Sequence, residues 1–246
     1  MSRIADRFGR AAATYETATP IQRQVAQRLA DLILASSPPA GARVAEFGCG
    51  TGYLARALAP RLQPSLWIAT DIAPAMAAAA RAATPLVAVM DAARPALAPG
   101  FDLVCSSLTL QWMADAPAAL AAWRALVRPG GRLAVATLTS GSFTEWRGAL
   151  AEAGAAAISP SFPSLEEARA WFSRDAAALT LTLTERHPSA LAFLRSLRAS
   201  GTDAADTPSL QGGTMRRAMR AFETSGGNVT YEVLVVVERA CERRKG

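Results

Sequence analysis

The sequence predicts an α/β fold built on a seven-stranded, mostly parallel sheet with helices on both faces. Three observations predict it. Short apolar runs alternate with helical stretches through the first 140 residues. Those runs are apolar throughout, as strands covered on both faces are. The first of them ends directly in a glycine-rich turn, Glu46-Phe47-Gly48-Cys49-Gly50-Thr51-Gly52.

Residues 3–35 read as a helical arm, with Ile21, Val25, Leu29 and Leu32 at helical spacing. Ser36-Ser37-Pro38-Pro39-Ala40-Gly41 breaks it. Residues 43–47 form the first strand and run into the glycine turn. Residues 53–62 are a helix that Pro64 helps to close. The second strand, 66–70, ends at Asp71. The alanine run 73–83 is a helix by propensity alone. Residues 86–89 are the third strand, ending near Asp91, and 101–105 the fourth. A helix over 117–127 stops at Pro129-Gly130-Gly131, and 132–138 is the fifth strand. Helices follow over 143–153, 164–172, 189–199 and 215–223. The alternating Leu and Thr of 179–183 give a sixth strand, and the β-branched run 229–237 a seventh.

No repeat or linker divides the chain, so 1–246 reads as one domain. Residues 1–35 are its N-terminal helical arm and 41–140 its ligand-binding core. Residues 141–228 hold an insertion after the fifth strand and the sixth strand. Residues 229–246 are the final strand and tail.

Composition narrows the function. The 246 residues are 51% hydrophobic and 19% charged, enough to bury a sizeable core. No apolar run of about 18 residues is free of charge, so no membrane helix is expected. The start lacks an apolar signal segment, and a cytoplasmic location is the default. Cys49, Cys105 and Cys241 fit neither a disulfide framework nor a zinc site. No metal is expected. The net charge of +6 is almost all arginine, Lys245 being the only lysine. Compositional bias explains that, and an acidic partner is the functional alternative. The arginines are scattered without interleaved aromatics, which argues against nucleic acid. A single histidine, His187, precedes Pro188 and reads as a loop residue, so a histidine triad is not expected.

A Gly-x-Gly-x-Gly turn after a strand lets backbone approach a ligand where a Cβ would collide. The next strand ends in Asp71, 21 residues past Gly50. An acidic residue there accepts hydrogen bonds from ribose hydroxyls. The dinucleotide pattern would need glycine where Tyr53 stands, which disfavours a nicotinamide cofactor. Asp91 closes the third strand and completes a nucleoside-binding set. The alternative for Asp71 and Asp91 is a turn or helix-capping aspartate. Cys49, flanked by glycines, reads as packing against the ligand.

Glu46–Gly52, Asp71, the strand 101–106 and the turn Arg128-Pro129-Gly130-Gly131 together resemble the Rossmann-like class I S-adenosylmethionine-dependent methyltransferases. The resemblance implies S-adenosylmethionine as cofactor. It implies that Glu46, Gly48, Cys49, Gly50, Gly52, Asp71, Ile72, Asp91, Ala92, Ser106 and Trp112 hold it, with Asp91 at the adenine amino group.

A narrower resemblance spans nearly the whole chain. It rests on Arg7–Glu16, Ile21-Gln22-Arg23-Gln24, Ser106-Ser107-Leu108-Thr109-Leu110-Gln111-Trp112 and Thr137–Ser142. Ser196-Leu197-Arg198-Ala199-Ser200-Gly201 and Thr230-Tyr231 complete it. These segments resemble the malonyl-acyl-carrier-protein O-methyltransferases of biotin synthesis (the BioC family). The match is poor over 150–185, and Arg198 stands where the family commonly has lysine. The resemblance implies an acidic acyl carrier protein bearing a malonyl thioester as partner, with no nucleic acid or membrane. Oligomeric state stays open.

Methyl transfer from a sulfonium needs alignment and a dry site. A carboxylate acceptor is already ionised at neutral pH and needs no general base. The scarcity of His and Lys suits such an acceptor. Tyr15 on the arm, Gln111 after the fourth strand and Arg198 are the candidates to orient it. A structural reading of each stays open: a buried aromatic, packing under a helix, and a solvated helix face. Two other readings remain. Trans-aconitate methyltransferases share a similar Leu-Gln-Trp segment, and some non-methylating assembly factors share Ser-Ser-Leu-x-Leu-x-Trp.

Overall fold

The computed structural model describes residues 3–155, 162–203 and 212–240. Cys241 and Lys245 lie outside them.

Seven strands form one sheet: β1 Arg43–Phe47, β2 Leu66–Asp71, β3 Leu86–Val89, β4 Phe101–Ser107, β5 Val127–Leu138, β6 Ala177–Arg186 and β7 Asn228–Arg239. Their order is β3-β2-β1-β4-β5-β7-β6. The first five are parallel, and β7 runs antiparallel between β5 and β6. Strand order reverses between β1 and β4. Ligands sit at such a switch point, outside the carboxyl ends of the strands. The glycine turn leaves β1 there, and the Ser106–Trp112 segment leaves β4 beside it.

Strand side chains alternate between two cores because successive residues point to opposite faces. Val44, Leu103, Cys105, Ala134 and Val235 pack against Val25, Leu29 and Ile33 of helix α3, Pro20–Ala35. Ala45, Phe47, Val104 and Val135 pack against Leu120 and Trp123 of helix α6, Ala116–Leu126. Asp115 caps α6 by accepting the Ala118 N–H at 2.9 Å. The other core helices are α4, Tyr53–Leu62, and α5, Pro74–Ala80. Helices α7, Thr144–Glu152, and α8, Leu165–Ala170, lie between β5 and β6. Helices α9, Ala190–Ala199, and α10, Gly212–Thr224, lie between β6 and β7. The additions after β5 therefore flank β6 on both sides.

The arm is three helices rather than one: α1 Arg3–Ala11, α2 Tyr15–Ala18 and α3. Pro20 drives the residue before it out of the helical region, and Thr19 has φ −131° and ψ 55°. Thr14 closes α1 by donating its N–H to the Ala11 carbonyl. The alanine helix stops at Ala80, not Ala83; Pro85 has no N–H with which to bond the Arg81 carbonyl and continue it. The fifth strand begins at Val127, not Arg132, because Val127 pairs with Phe101 of β4 ahead of a register shift. The sixth extends to ten residues by pairing along β7.

Trp123 shows how the sheet is tied to its helix layer. It is fully buried, stacks on Phe47 at 5.3 Å and donates Nε1–H to the Ala92 carbonyl at 2.8 Å. Trp123→Ala should cost about 3–5 kcal/mol by cavity formation and a lost hydrogen bond. Urea unfolding checks it; a loss below about 1 kcal/mol would show that the layer collapses without penalty.

Candidate active site

The loops at the switch point enclose a cavity of about 260 Å³. Gly48, Gly50, Asp71, Ile72, Asp91 and Ala92 line it. Gly48 and Gly50 have φ +64° and +54°, the left-handed region that favours glycine. A Cβ on Gly48 would lie 2.0 Å from Thr109 Oγ1, so the β4 loop packs flush on the glycine turn. A Cβ on Gly50 would meet nothing nearer than the Tyr15 ring at 3.8 Å. The protein leaves that space open.

Asp71 ties the turn to the next strand. Its Oδ2 accepts the Gly50 N–H at 2.9 Å, and its Oδ1 accepts the Ala73 N–H at 2.8 Å. Burial raises its pKa against these backbone donors, which lower it. Each oxygen keeps a lone pair for a ligand. Asp91 makes an Asx turn, its Oδ1 accepting the Ala93 N–H at 2.9 Å, while lining the cavity. The turn-aspartate and cavity readings thus hold together for it.

Four expected cofactor residues stand behind the wall and do not line the cavity. Glu46 is buried and accepts the Trp67 Nε1–H at 2.9 Å. Cys49 is buried in the core cluster that includes Val25, Leu29 and Ile33 of α3. Gly52 faces Ala83, whose Cβ would lie 2.7 Å from an added Cβ. Ser106 is buried and donates to the Phe47 carbonyl at 2.9 Å. These residues shape the turn from beneath. Sequence reading missed Ile4, Met76, Met90 and Met113, which supply the apolar wall. Their signal was weak, because single apolar residues at loop ends look like core.

A second cavity of about 240 Å³ lies alongside. Phe8, Tyr15, Leu108 and Trp112 line both. Phe8 meets Trp112 edge-on at 5.6 Å, and the Arg7 guanidinium sits 5.6 Å from the Trp112 ring. Tyr15, Gln111 and Arg198, three separate sequence candidates, all line this second cavity. Arg198 is its only cation and Asp203 its only carboxylate among the described residues. Much of the remaining wall is aromatic, including Phe143, Trp146, Phe162, Phe193 and Tyr231. These residues come from segments far apart in sequence, so no periodicity linked them. Burial raises the pKa of the Tyr15 phenol, with Tyr53 and Asp71 adding to the effect. The hydroxyl stays protonated at neutral pH.

His187 lines neither cavity. It is buried against Phe193, at 5.2 Å, with Nε2 3.6 Å from Glu185. It is a loop residue, as the sequence suggests, but a buried one, between β6 and α9. Among the described residues no cluster of three metal-ligating side chains occurs, and no helix is long and apolar enough to cross a membrane.

Comparison with known proteins fits this geometry. Residues 21–178 match the methyltransferase domain family model. The biotin biosynthesis bifunctional protein BioCD of Bordetella avium is 42% identical over 93% of this chain, which spans 50% of that protein. A malonyl-[acyl-carrier protein] O-methyltransferase of Magnetococcus marinus is 35% identical over 94% of this chain and 90% of its own length. The chain belongs to the malonyl-[acyl-carrier protein] O-methyltransferase family. It is an enzyme of the Rossmann-like methyltransferase fold, and S-adenosylmethionine is its cofactor. Solved structures agree on the fold: YcgJ of Bacillus subtilis has a TM-score of 0.60 at 17% identity, covering 87% of this chain and 98% of its own. A putative methyltransferase of Bacillus halodurans has 0.59 at 11%, with the same coverage.

Two predictions follow from the glycine turn. Gly50→Val should abolish cofactor binding in calorimetry by filling the open approach; retained binding would overturn the assignment of this cavity. Glu46 provides a pH effect. Burial pushes its pKa up to about 8; the Trp67 hydrogen bond opposes this and Asp71 adds to it. A carboxyl whose pKa is raised on folding stabilises the protonated fold, and that stability is lost as pH rises toward 8. Glu46→Gln keeps an acceptor for Trp67 without a charge. The thermal midpoint should fall between pH 5 and 8 more steeply for the unaltered protein than for the variant. Parallel curves would show that Glu46 does not titrate there.

Proposed function

We propose that the chain transfers the methyl group of S-adenosylmethionine to the free carboxylate of a malonyl thioester carried on acyl carrier protein. The observation that carries this reading is the pair of cavities joined at one wall. One fits a nucleoside: a turn whose Gly50 leaves open space beside its backbone, and two carboxylates at the strand ends. The other is largely apolar and aromatic, with one cation, Arg198, and one carboxylate, Asp203, among the described residues.

Gly48 and Gly50 would let the cofactor lie on bare backbone. Asp71 and Asp91 would accept hydrogens from its ribose and adenine. Bound there, the cofactor supplies an electrophilic methyl on a sulfonium. Tyr15 and Trp112 stand between the cavities and would close the transfer site to water. Arg198 would hold an anionic part of the acceptor by a charge-assisted hydrogen bond. Gln111 would donate to it without neutralising its charge.

The relatives named as malonyl-carrier methyltransferases support this acceptor over a free acid such as trans-aconitate. They equally favour an enzyme over a non-methylating accessory protein. Methylation would mask the malonyl carboxylate as an ester, so that chain-elongating enzymes take it as an ordinary acyl group in the pimeloyl stage of biotin synthesis.

Purified protein should methylate malonyl carrier protein and leave trans-aconitate unmodified, and its gene should rescue a biotin auxotroph lacking this step. The reverse preference would replace the proposal with a free-acid methyltransferase. Arg198→Glu should raise KM for the carrier-bound acceptor at least about tenfold, the equivalent of about 1.4 kcal/mol. Unchanged turnover and KM would remove Arg198 from the site.

A further inference from the structure

Gln111 reaches the acceptor cavity with its amide already fixed on two sides. Its Nε2 donates to the Leu108 carbonyl at 2.8 Å. Its Oε1 accepts the Thr137 hydroxyl at 3.3 Å. The Leu108 carbonyl can only accept, so the amide cannot flip: the flipped form would set two oxygens against each other. One Nε2 hydrogen and one Oε1 lone pair remain.

The backbone that supplies this carbonyl is in an unusual state. Leu108 has φ +55°, a left-handed conformation that is uncommon outside glycine. Its N–H continues the β4–β5 ladder by donating to Ala136 at 2.8 Å. Thr109, the next residue, packs on Gly48. The chain therefore turns abruptly at Leu108, one of the four residues that separate the two cavities. Strained backbone held by its surroundings at a ligand wall is a sign of pre-organisation. Thr137 is buried on β5, does not line either cavity, and its hydroxyl meets the far side of the same amide.

We infer that Thr137 is a positioning residue, which with the Leu108 carbonyl holds the Gln111 amide so that its free N–H serves the acceptor carboxylate. The inference rests on the acceptor reading above. A carboxylate in the second cavity beside the shared wall is best served by a neutral donor at its reacting oxygen, since a cation paired with that oxygen would blunt its nucleophilicity. A free-swinging glutamine would present its oxygen half the time and repel the acceptor. Clamping from both sides removes that state before the acceptor arrives. The entropy of fixing the side chain is then lost in folding rather than in binding.

The test is a double-mutant cycle in the full chain. Thr137→Val removes the hydroxyl at nearly constant volume, Thr137→Ser keeps it, and Gln111→Ala removes the amide. Thr137→Val should raise KM for the malonyl-carrier acceptor about fivefold, as expected for one hydrogen bond. S-adenosylmethionine affinity in calorimetry should stay within about twofold, and Thr137→Ser should restore KM. In the Gln111→Ala background Thr137→Val should have almost no further effect, because the group it positions is gone. If Thr137→Val does not fold, Thr137→Ala replaces it throughout. An undiminished effect of Thr137→Val in the Gln111→Ala background would overturn the inference, as would a Thr137→Val enzyme with unchanged KM. Failure of the unaltered protein to methylate malonyl carrier protein defeats the function reading instead. The clamp is then read from the Gln111 side-chain amide signals in NMR. Slow exchange of those amide protons with solvent that becomes faster in Thr137→Val upholds it, and exchange indifferent to the substitution sinks it.

Discussion

Asp71 is the point from which the cofactor side of the molecule is organised. Its two oxygens bind one N–H from the glycine turn and one from the start of the next helix approach, at 2.9 and 2.8 Å. The turn after β1 and the turn after β2 are thereby one unit. With Gly50 held in this way, Gly48 lies under Thr109, and the β4 loop is drawn over the same spot. The switch in strand order places these three loops side by side. A single buried carboxylate thus converts a sheet edge into a cradle of fixed width. Because both oxygens are already engaged, the carboxylate would meet a ligand without reorienting, which is what makes a pre-formed site cheap to fill.

The second cavity depends on the arm. Phe8 and Tyr15 come from α1 and α2, before the sheet begins, yet they form half of the wall between the cavities. They are held by contacts local to the arm's base. Tyr53 of α4 hydrogen-bonds Thr19 at 2.9 Å, and the Arg23 and Arg56 guanidinium groups lie 5.4 and 5.1 Å from its ring centre. Arg56 also pairs with Glu16. That pair is half exposed and worth little alone; the contact with the Tyr53 ring adds to it. Tyr53 is also the residue whose bulk breaks the dinucleotide glycine pattern. One position therefore departs from one cofactor's motif and anchors the arm that walls another's site.

The sheet was legible in the sequence because parallel strands buried on both faces read as plain apolar runs, and β1 to β5 did. The glycine turn and Asp71 were legible because their chemistry depends on order and spacing along one short stretch. What could not be read was which side of a strand a residue serves. Glu46 and Ser106 sit in motif positions, but strand alternation turns them inward, to Trp67 and to the Phe47 carbonyl. Cys49 and Gly52 likewise serve packing beneath the turn. The arm's division at Thr14 and Thr19 was hidden because the apolar spacing read for it, Ile21 to Leu32, lies wholly in α3, beyond Pro20, and says nothing of the residues before it. The aromatic wall of the second cavity was invisible for a different reason. Phe143, Phe162, Phe193 and Tyr231 meet only through tertiary folding.

The proton balance of the shared wall bears on what can be methylated. Among the described residues, the second cavity holds two phenols, Tyr15 and Tyr231, and burial raises the pKa of both. Both are protonated at neutral pH and can donate, not remove, a proton. The one histidine lies elsewhere, packed on Phe193. Asp203, the one carboxylate, lines neither the wall between the cavities nor the cofactor side. A hydroxyl or amine acceptor delivered to that wall would arrive with its proton and find no group beside it to take it. A carboxylate arrives without one. Tyr15 on that wall and the clamped Gln111 beside it in the second cavity would donate hydrogen bonds that orient an anion while leaving its charge largely intact. Among the described residues, that cavity sets donors for an anion beside the transfer wall and places no base there, which suits an acceptor that arrives already ionised.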